Sequence, residues 1–210
     1  MMGVGARLFK RALDVTVASA ALLVSAPLLG LAALAVRQQL GSPVIFRQPR
    51  PGLNGKPFEM VKLRTMLTED QAGSGHDAAR LTPLGSLLRS TSIDELPTLW
   101  NVLRGEMSLV GPRPLLMDYL PLYTPEQAHR HDVLPGLTGL AQIRGRNLLT
   151  WDEKFTADLE YVERQSLALD ARILVATIKT VVRRSGIAHQ DTATMPRFTG
   201  RAQPTTRTVQ

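Results

Sequence analysis

Residues Val15 to Val36 form a run of 22 residues without a single charge, most of them apolar. Few folds accommodate such a run. About 20 helical residues cross the roughly 30 Å hydrocarbon core of a bilayer, so the run predicts a membrane segment. A secretory signal is the weaker reading, because the run outlasts the apolar stretch of such a signal. Ser25, Ala26 and Pro27 stand near its middle. Proline inside a helix removes a backbone hydrogen bond and crowds the preceding turn, which predicts a kink at Ser25 and Pro27. Each arm, about 11 residues at 1.5 Å per residue, then reaches roughly 17 Å, about one leaflet. Arg7, Lys10 and Arg11 precede the run and Arg37 closes it, so the distribution of cations favours neither orientation of a span. Two geometries stay open: a re-entrant hairpin with both ends on one side, and a kinked through-span. Single cysteines placed before Arg7 and after Arg50 separate them, since labelling from opposite sides excludes the hairpin.

Beyond the apolar run, the densest chemistry lies in Arg89 to Pro114, RSTSIDELPTLWNVLRGEMSLVGPRP. Asp94 and Glu95 precede a helical apolar pattern of Leu96, Leu99, Trp100 and Leu103. Ser92 and Glu95 have the spacing of a capping box, and acidic side chains are favoured in a first helical turn. With Asp94 as N-cap, Pro97 falls at the third helical position, where its missing N–H is no loss. The same acidic pair, with Arg89 before it and Arg113 after it, also has the makings of a phosphate-and-metal site. One carboxylate can cap while the other does chemistry.

The remaining segments read as short elements. Val44–Phe46 and Phe58–Thr65 are expected strands, with a tight turn at Asn54-Gly55. Lys62 and Arg64 would share one face of the second strand. Leu67 to Arg80 has no clear period and reads as a loop. Ser86 to Ser90 reads as a short basic helix, and a helix is expected before a break near Pro121. Thr124-Pro125 and Thr150-x-x-Glu153 mark helix starts. Leu140–Ile143 is expected as a strand leading into a loop with Arg144 and Arg146, a candidate phosphate clamp. Leu169 to Arg184 reads as an amphipathic helix suited to a membrane interface or to core packing. From Arg183 onward five arginines stand against Asp191, and the tail is expected to be disordered.

Composition narrows the partners. There is no cysteine, which excludes disulfides and thiolate metal sites, and the four histidines lack a zinc spacing. His129 and His131 are read as surface residues. A net charge of +7 favours an anionic partner. With 5% aromatic residues and no nucleic-acid-binding signature, nucleic acid is set aside.

Taken together, several blocks resemble one family. They are KRALD (Lys10–Asp14), the apolar run with Pro27, VIFRQPRPGLNGKPF (Val44–Phe58), VKLRTM (Val61–Met66), the Asp94-Glu95 stretch, PGLTGLAQIRGRN (Pro135–Asn147) and WDEKFTADLEYVE (Trp151–Glu163). In this order they resemble the bacterial sugar transferases, monotopic enzymes that move a sugar-1-phosphate from a nucleotide sugar to a polyprenyl phosphate. The resemblance implies an α+β fold, predominantly helical with a small β-sheet. It implies a re-entrant membrane helix over 1–40 and a cytoplasmic catalytic domain over 41–184; the composition adds a basic tail over 185–210, and the periodicity amphipathic helices at the interface. It further implies Asp94 and Glu95 as a catalytic dyad with Mg2+, a UDP-sugar and undecaprenyl phosphate as substrates, and a place on the bacterial inner membrane at the start of glycan assembly. Arg89, Arg113, Arg144 and Arg146, with Lys62 and Arg64, are the candidate phosphate contacts. Asp158 and Asp170 match acidic positions of the family's site region. Glu106 stands where the family more often has Asp. A direct one-step transferase and a non-catalytic basic scaffold on the membrane are the competing readings. The sugar stays open, as does the oligomeric state, homo-oligomer included.

Overall fold

The computed structural model describes residues 2–72, 80–145, 148–183 and 197–200. Helix α1, Val4–Gln39, is helical throughout its 36 residues, with Pro27 inside it. Helical backbone thus continues through the residues expected to divide it into two arms. Ser25 Oγ donates to the Ala21 carbonyl at 2.6 Å, the i−4 contact by which serine bends helices rather than breaking them. Lys10, Asp14, Ala18, Ala32 and Val36 form a buried stripe at helical spacing. The opposite face is bare and apolar, with Val24 84% exposed.

Strands β1 (Ile45–Pro51) and β2 (Pro57–Leu63) pair antiparallel, Ile45 opposite Leu63 and Pro51 opposite Pro57. The expected turn is present between them, with Asn54 at φ 54° and Gly55 at φ 72°. A helical turn, α2, covers Glu69–Ala72, within the segment read as a loop; residues 73–79 of that loop lie outside the described residues. Helix α3 spans Pro83–Thr91 behind the N-cap Thr82. Ile93–Thr98 is 3-10 helical and runs into α4, Leu99–Arg104. The stretch before the expected break at Pro121 is also 3-10 helix, Met117–Leu122. Helix α5 (Pro125–Ala128) and helix α7 (Trp151–Arg164) both start with complete capping boxes, from Thr124 and Thr150. Helix α8 spans Leu167–Arg183.

The sheet expectation needs correcting. There are two two-stranded sheets among the described residues, the second a parallel pair of β3 (Ser108–Val110) with β4 (Gly136–Thr138). Leu140–Ile143, read as a strand, belongs to helix α6, Leu140–Arg144. The reason is a close backbone crossing: a Cβ on Gly111 or Gly136 would collide with the facing main chain. Only glycines permit that approach, so the pairing falls on Gly136–Thr138, and the apolar residues beyond it bury Leu140 and Ala141 as a helical turn.

Two apolar clusters meet α1. One gathers Ala18 with Leu99, Val102, Leu109, Tyr161 and Ile173; the other gathers Ala32, Val36 and Leu40 with Leu63 and Leu88. The long helix therefore contributes side chains to the same cores that carry the acidic pair.

Candidate active site

The capping box expected at Ser92 does not form. Ser92 has φ 58° and closes α3, its N–H bonding the Arg89 carbonyl, with no side-chain cap to the segment that follows. That left-handed corner turns the chain so that Asp94 and Glu95 leave on a 3-10 turn whose next residues dock on β2. Thr98 Oγ1 donates to the Val61 carbonyl at 2.9 Å. The buried Asn101 accepts from Val61 N at 3.1 Å and donates to the Glu59 carbonyl at 2.6 Å, completing a side-chain bridge to the strand edge. Its Nδ2 also reaches Glu106 at 2.7 Å.

This docking brings Lys62 of β2 to the acidic pair. Lys62 Nζ lies 2.7 Å from Glu95 Oε1. Arg113, in the turn after β3, donates to Oε1 at 2.5 Å and to Oε2 at 3.3 Å. Burial alone would push the Glu95 carboxyl up, but Arg113 and Lys62 outweigh it and hold the group well below the usual carboxylate range. Asp94 is the opposite case. It is 7% exposed, and among the described residues no hydrogen bond reaches its carboxylate. Burial, then the neighbouring Glu95, push its pKa up to about 6 against the pull of Lys62, Arg89 and Arg113. At neutral pH it is mostly ionised and poorly solvated, the state that makes a carboxylate reactive.

Arg89 stands by this pair, its Nε bonded to Thr65 Oγ1 at 3.0 Å. Sequence reasoning missed three more cations. Arg50 of β1 reaches the Pro114 carbonyl at 3.5 Å, and burial with the nearby Arg113 lowers its pKa to about 10. Lys154 is lowered to about 8 by burial and again by Arg113. Arg130, 2% exposed, donates to the Arg113 carbonyl at 2.7 Å and to Asp158 Oδ2 at 2.7 and 3.1 Å. Each comes from a separate element, so no local spacing could have joined them.

Other predicted site residues are engaged elsewhere. Arg64 is buried beyond the end of β2, and its guanidinium binds the carbonyls of Leu40 and Ser42, fastening the end of α1 rather than facing a phosphate. Arg144 pairs with Glu160 on the surface at 2.6 and 2.9 Å. Arg146 lies outside the described residues. Asp158 is committed to Arg130, and Asp170 to Lys10 at 2.6 Å and to Tyr161 Oη at 2.7 Å. Both carboxylates are thus engaged by groups of this chain.

His131, expected at the surface, is buried beneath the β1–β2 turn with Nδ1 3.3 Å from the Gly52 carbonyl. Burial and then Arg130 depress its pKa to about 4. The unfolded chain therefore binds a proton near pH 6.5 that the folded chain refuses until about pH 4. Stability supplied by this residue is complete above pH 6.5 and falls as pH drops towards 4, by about 3 kcal/mol in all. Replacement of His131 by Gln should flatten that part of a urea-midpoint-against-pH curve.

A magnesium ion fits this donor set only in a shared way. No cluster of three acidic or imidazole groups occurs among the described residues. Among the described residues no hydrogen bond reaches the Asp94 carboxylate and Glu95 Oε2 has one long contact, so two carboxylates are available and phosphate and water would supply the rest, as magnesium prefers.

The sequence is similar to those of known proteins. The family model described as bacterial sugar transferase matches residues 5–184. An uncharacterised sugar transferase of Bacillus subtilis (strain 168), EpsL, is 50% identical over 196 residues, covering 92% of this chain and 96% of that protein. A UDP-glucose:undecaprenyl-phosphate glucose-1-phosphate transferase of Caulobacter vibrioides is 46% identical, covering 82% of this chain and 69% of its own length. An Escherichia coli (strain K12) protein of the same name is 39% identical, covering 82% of this chain but 40% of its own length. Because the match extends from the foot of α1 to the end of α8, taking in the whole of the acidic site, the chain belongs to the bacterial sugar transferase family.

Proposed function

We propose that the protein transfers a sugar-1-phosphate from a UDP-sugar to undecaprenyl phosphate, through a covalent intermediate on Asp94. The observation that carries this reading is the asymmetry of the acidic pair: Glu95 is clamped by two cations, while beside it Asp94 is buried and, among the described residues, no hydrogen bond reaches its carboxylate. A carboxylate needs no base to become a nucleophile at neutral pH. An Asp94 oxygen attacks the β-phosphorus of the UDP-sugar, the bond from that phosphorus to the bridging oxygen breaks, and UMP leaves. An oxygen of undecaprenyl phosphate then attacks the aspartyl phosphosugar, releasing the Asp94 carboxylate and undecaprenyl diphosphate-sugar. Both steps crowd anions together, and fixed positive charge supplies much of the stabilisation such reactions need. Arg89, Arg113, Lys62 and Arg50 are placed for that task, and Lys62 with Arg113 keeps Glu95 oriented. Magnesium held by Glu95 and Asp94 would neutralise diphosphate charge.

The setting is a lipid surface. Both ends of α1 are tied to one body: Arg11 binds the Val102 and Leu103 carbonyls at 2.5 and 2.8 Å, and Gln71 binds the Leu40 carbonyl at 3.0 Å. This supports the re-entrant, one-sided mode over a through-span, with the domain on the cytoplasmic face of the inner membrane. Val175 and Ile178 of α8 are exposed beside Arg172 and Lys179, and Trp100 is 53% exposed; such a mixture suits a headgroup layer.

The test is UMP release from a panel of UDP-sugars with magnesium and polyprenyl phosphate. Ping-pong kinetics and a phosphosugar adduct on the isolated protein are expected. Sequential kinetics without an adduct would favour the one-step transferase, and no release from any sugar the membrane-bound scaffold.

A further inference from the structure

The family match ends at residue 184, yet a piece of chain beyond it is built into the domain. In the tail expected to be disordered, residues 197–200 are placed against the core, which corrects that expectation for this stretch; the rest of the tail lies outside the described residues. Phe198 is 6% exposed. Its ring sits 5.0 Å from Phe155, 5.3 Å from Trp151, 5.7 Å from Tyr119 and 6.0 Å from Tyr123, centroid to centroid. Gly200 lies against Leu122.

What this cluster supports is the informative point. The guanidinium of Arg130 lies 5.8 Å from the Tyr123 ring and 5.9 Å from the Phe155 ring, two of the rings that Phe198 covers. The same guanidinium donates to the Arg113 carbonyl, and the Arg113 side chain grips Glu95. A continuous line of contacts therefore runs from the tail to the acidic pair. Buried aromatic rings hold a cation by dispersion and by the ring quadrupole, and both depend on tight packing. Asp158 alone fixes only one edge of Arg130.

We propose that Phe198 is a positioning residue: by closing the aromatic cluster it holds Arg130 against the Arg113 carbonyl, and so sets the clamp on Glu95. This rests on the functional reading above, in which the clamp orients the acidic pair. The tail segment is then a working part of the transferase site, not an appendage to it.

The experiment uses the full chain in lipid nanodiscs and measures kcat for UMP release at a temperature well below unfolding. Phe198→Ala is expected to lower kcat about tenfold, a part of the hundredfold loss that a displacement of about 1 Å can bring. Phe198→Leu, which keeps most of the volume, recovers to within about threefold of the parent. The decisive measurement is a double-mutant cycle with Arg130→Lys. Phe198→Ala should cost less than about twofold in that background, because the line of contacts is already cut. Equal losses in both backgrounds mean that Phe198 is structural only, and an unchanged kcat in Phe198→Ala overturns the proposal outright. If Phe198→Ala does not fold, Phe198→Leu goes through the same cycle. A parent chain that releases no UMP overturns the functional reading and this inference with it; an active parent with an unaffected variant overturns this inference alone.

Discussion

Asp94→Asn is expected to abolish turnover, by more than about 10⁴-fold, while leaving the protein folded. Deletion of a covalent nucleophile costs losses of that order or more. The second half of the prediction follows from the electrostatics of the site. Burial and the adjacent Glu95 both disfavour the ionised Asp94, which is why its pKa is raised to about 6. An amide of the same shape removes a like-charge repulsion and a desolvation cost, so Asp94→Asn should melt at or above the temperature of the parent. A site that gives up stability to keep a reactive group is a common compromise. Intact mass after incubation with a UDP-sugar reads the adduct directly. A phosphosugar adduct still present on Asp94→Asn would remove Asp94 from its assigned role, and a variant that unfolds would contradict the electrostatic account.

The second large effect is expected at the foot of α1. Lys10 and Asp170 form a buried ion pair at 2.6 Å, and Tyr161 Oη binds Asp170 and the Val110 carbonyl at 2.7 and 2.9 Å. One helical turn on, Asp14 accepts from Ser108 Oγ at 2.7 Å and Leu109 N at 3.2 Å. The foot of α1 is thus bolted to β3, which leads into Arg113. Lys10→Met leaves the Asp170 carboxylate buried without its cation, a change that costs about 3–5 kcal/mol. Against a total stability of about 5–15 kcal/mol, this should lower the melting temperature steeply. The double variant Lys10→Met, Asp170→Asn buries no lone charge and should recover much of the loss. Melting of the single variant at the parent temperature would show that the pair contributes little.

Some of this was readable in the sequence and some was not, and the divide follows the range of the interaction. Thr124 and Thr150 cap their helices as their spacing implies, because a capping box closes within four residues. Asn54-Gly55 turns for the same local reason. Ser92 carries an equally good capping signature and does something else, since the preceding helix needs a left-handed closing residue there. The strand at Gly136–Thr138 was hidden because its cause is a crossing with Gly111, 25 residues earlier in the chain. Asp94, Glu95, Arg113 and Lys62 were picked out by residue type, and the structure brings them together. Arg50 and Arg130 were not, although they reach the carbonyls of Pro114 and Arg113, because nothing near them in sequence shows which carbonyl they will reach. Asp158 and Asp170 were noted as acidic, but their partners lie 28 and 160 residues away.

That last separation bears on how the protein is made. Lys10 precedes Asp170 by 160 residues and so leaves the ribosome well before it. Synthesis at about 5–20 residues per second puts roughly 8–30 s between them. Through that interval Lys10 lacks the Asp170 carboxylate, although Asp14 can already meet Ser108 and Leu109. On the membrane reading proposed above, α1 can reach lipid early but cannot take its final seat until α8 arrives. A chain stalled before Asp170 should therefore leave α1 loosely held and, on the membrane reading proposed above, open to membrane proteases.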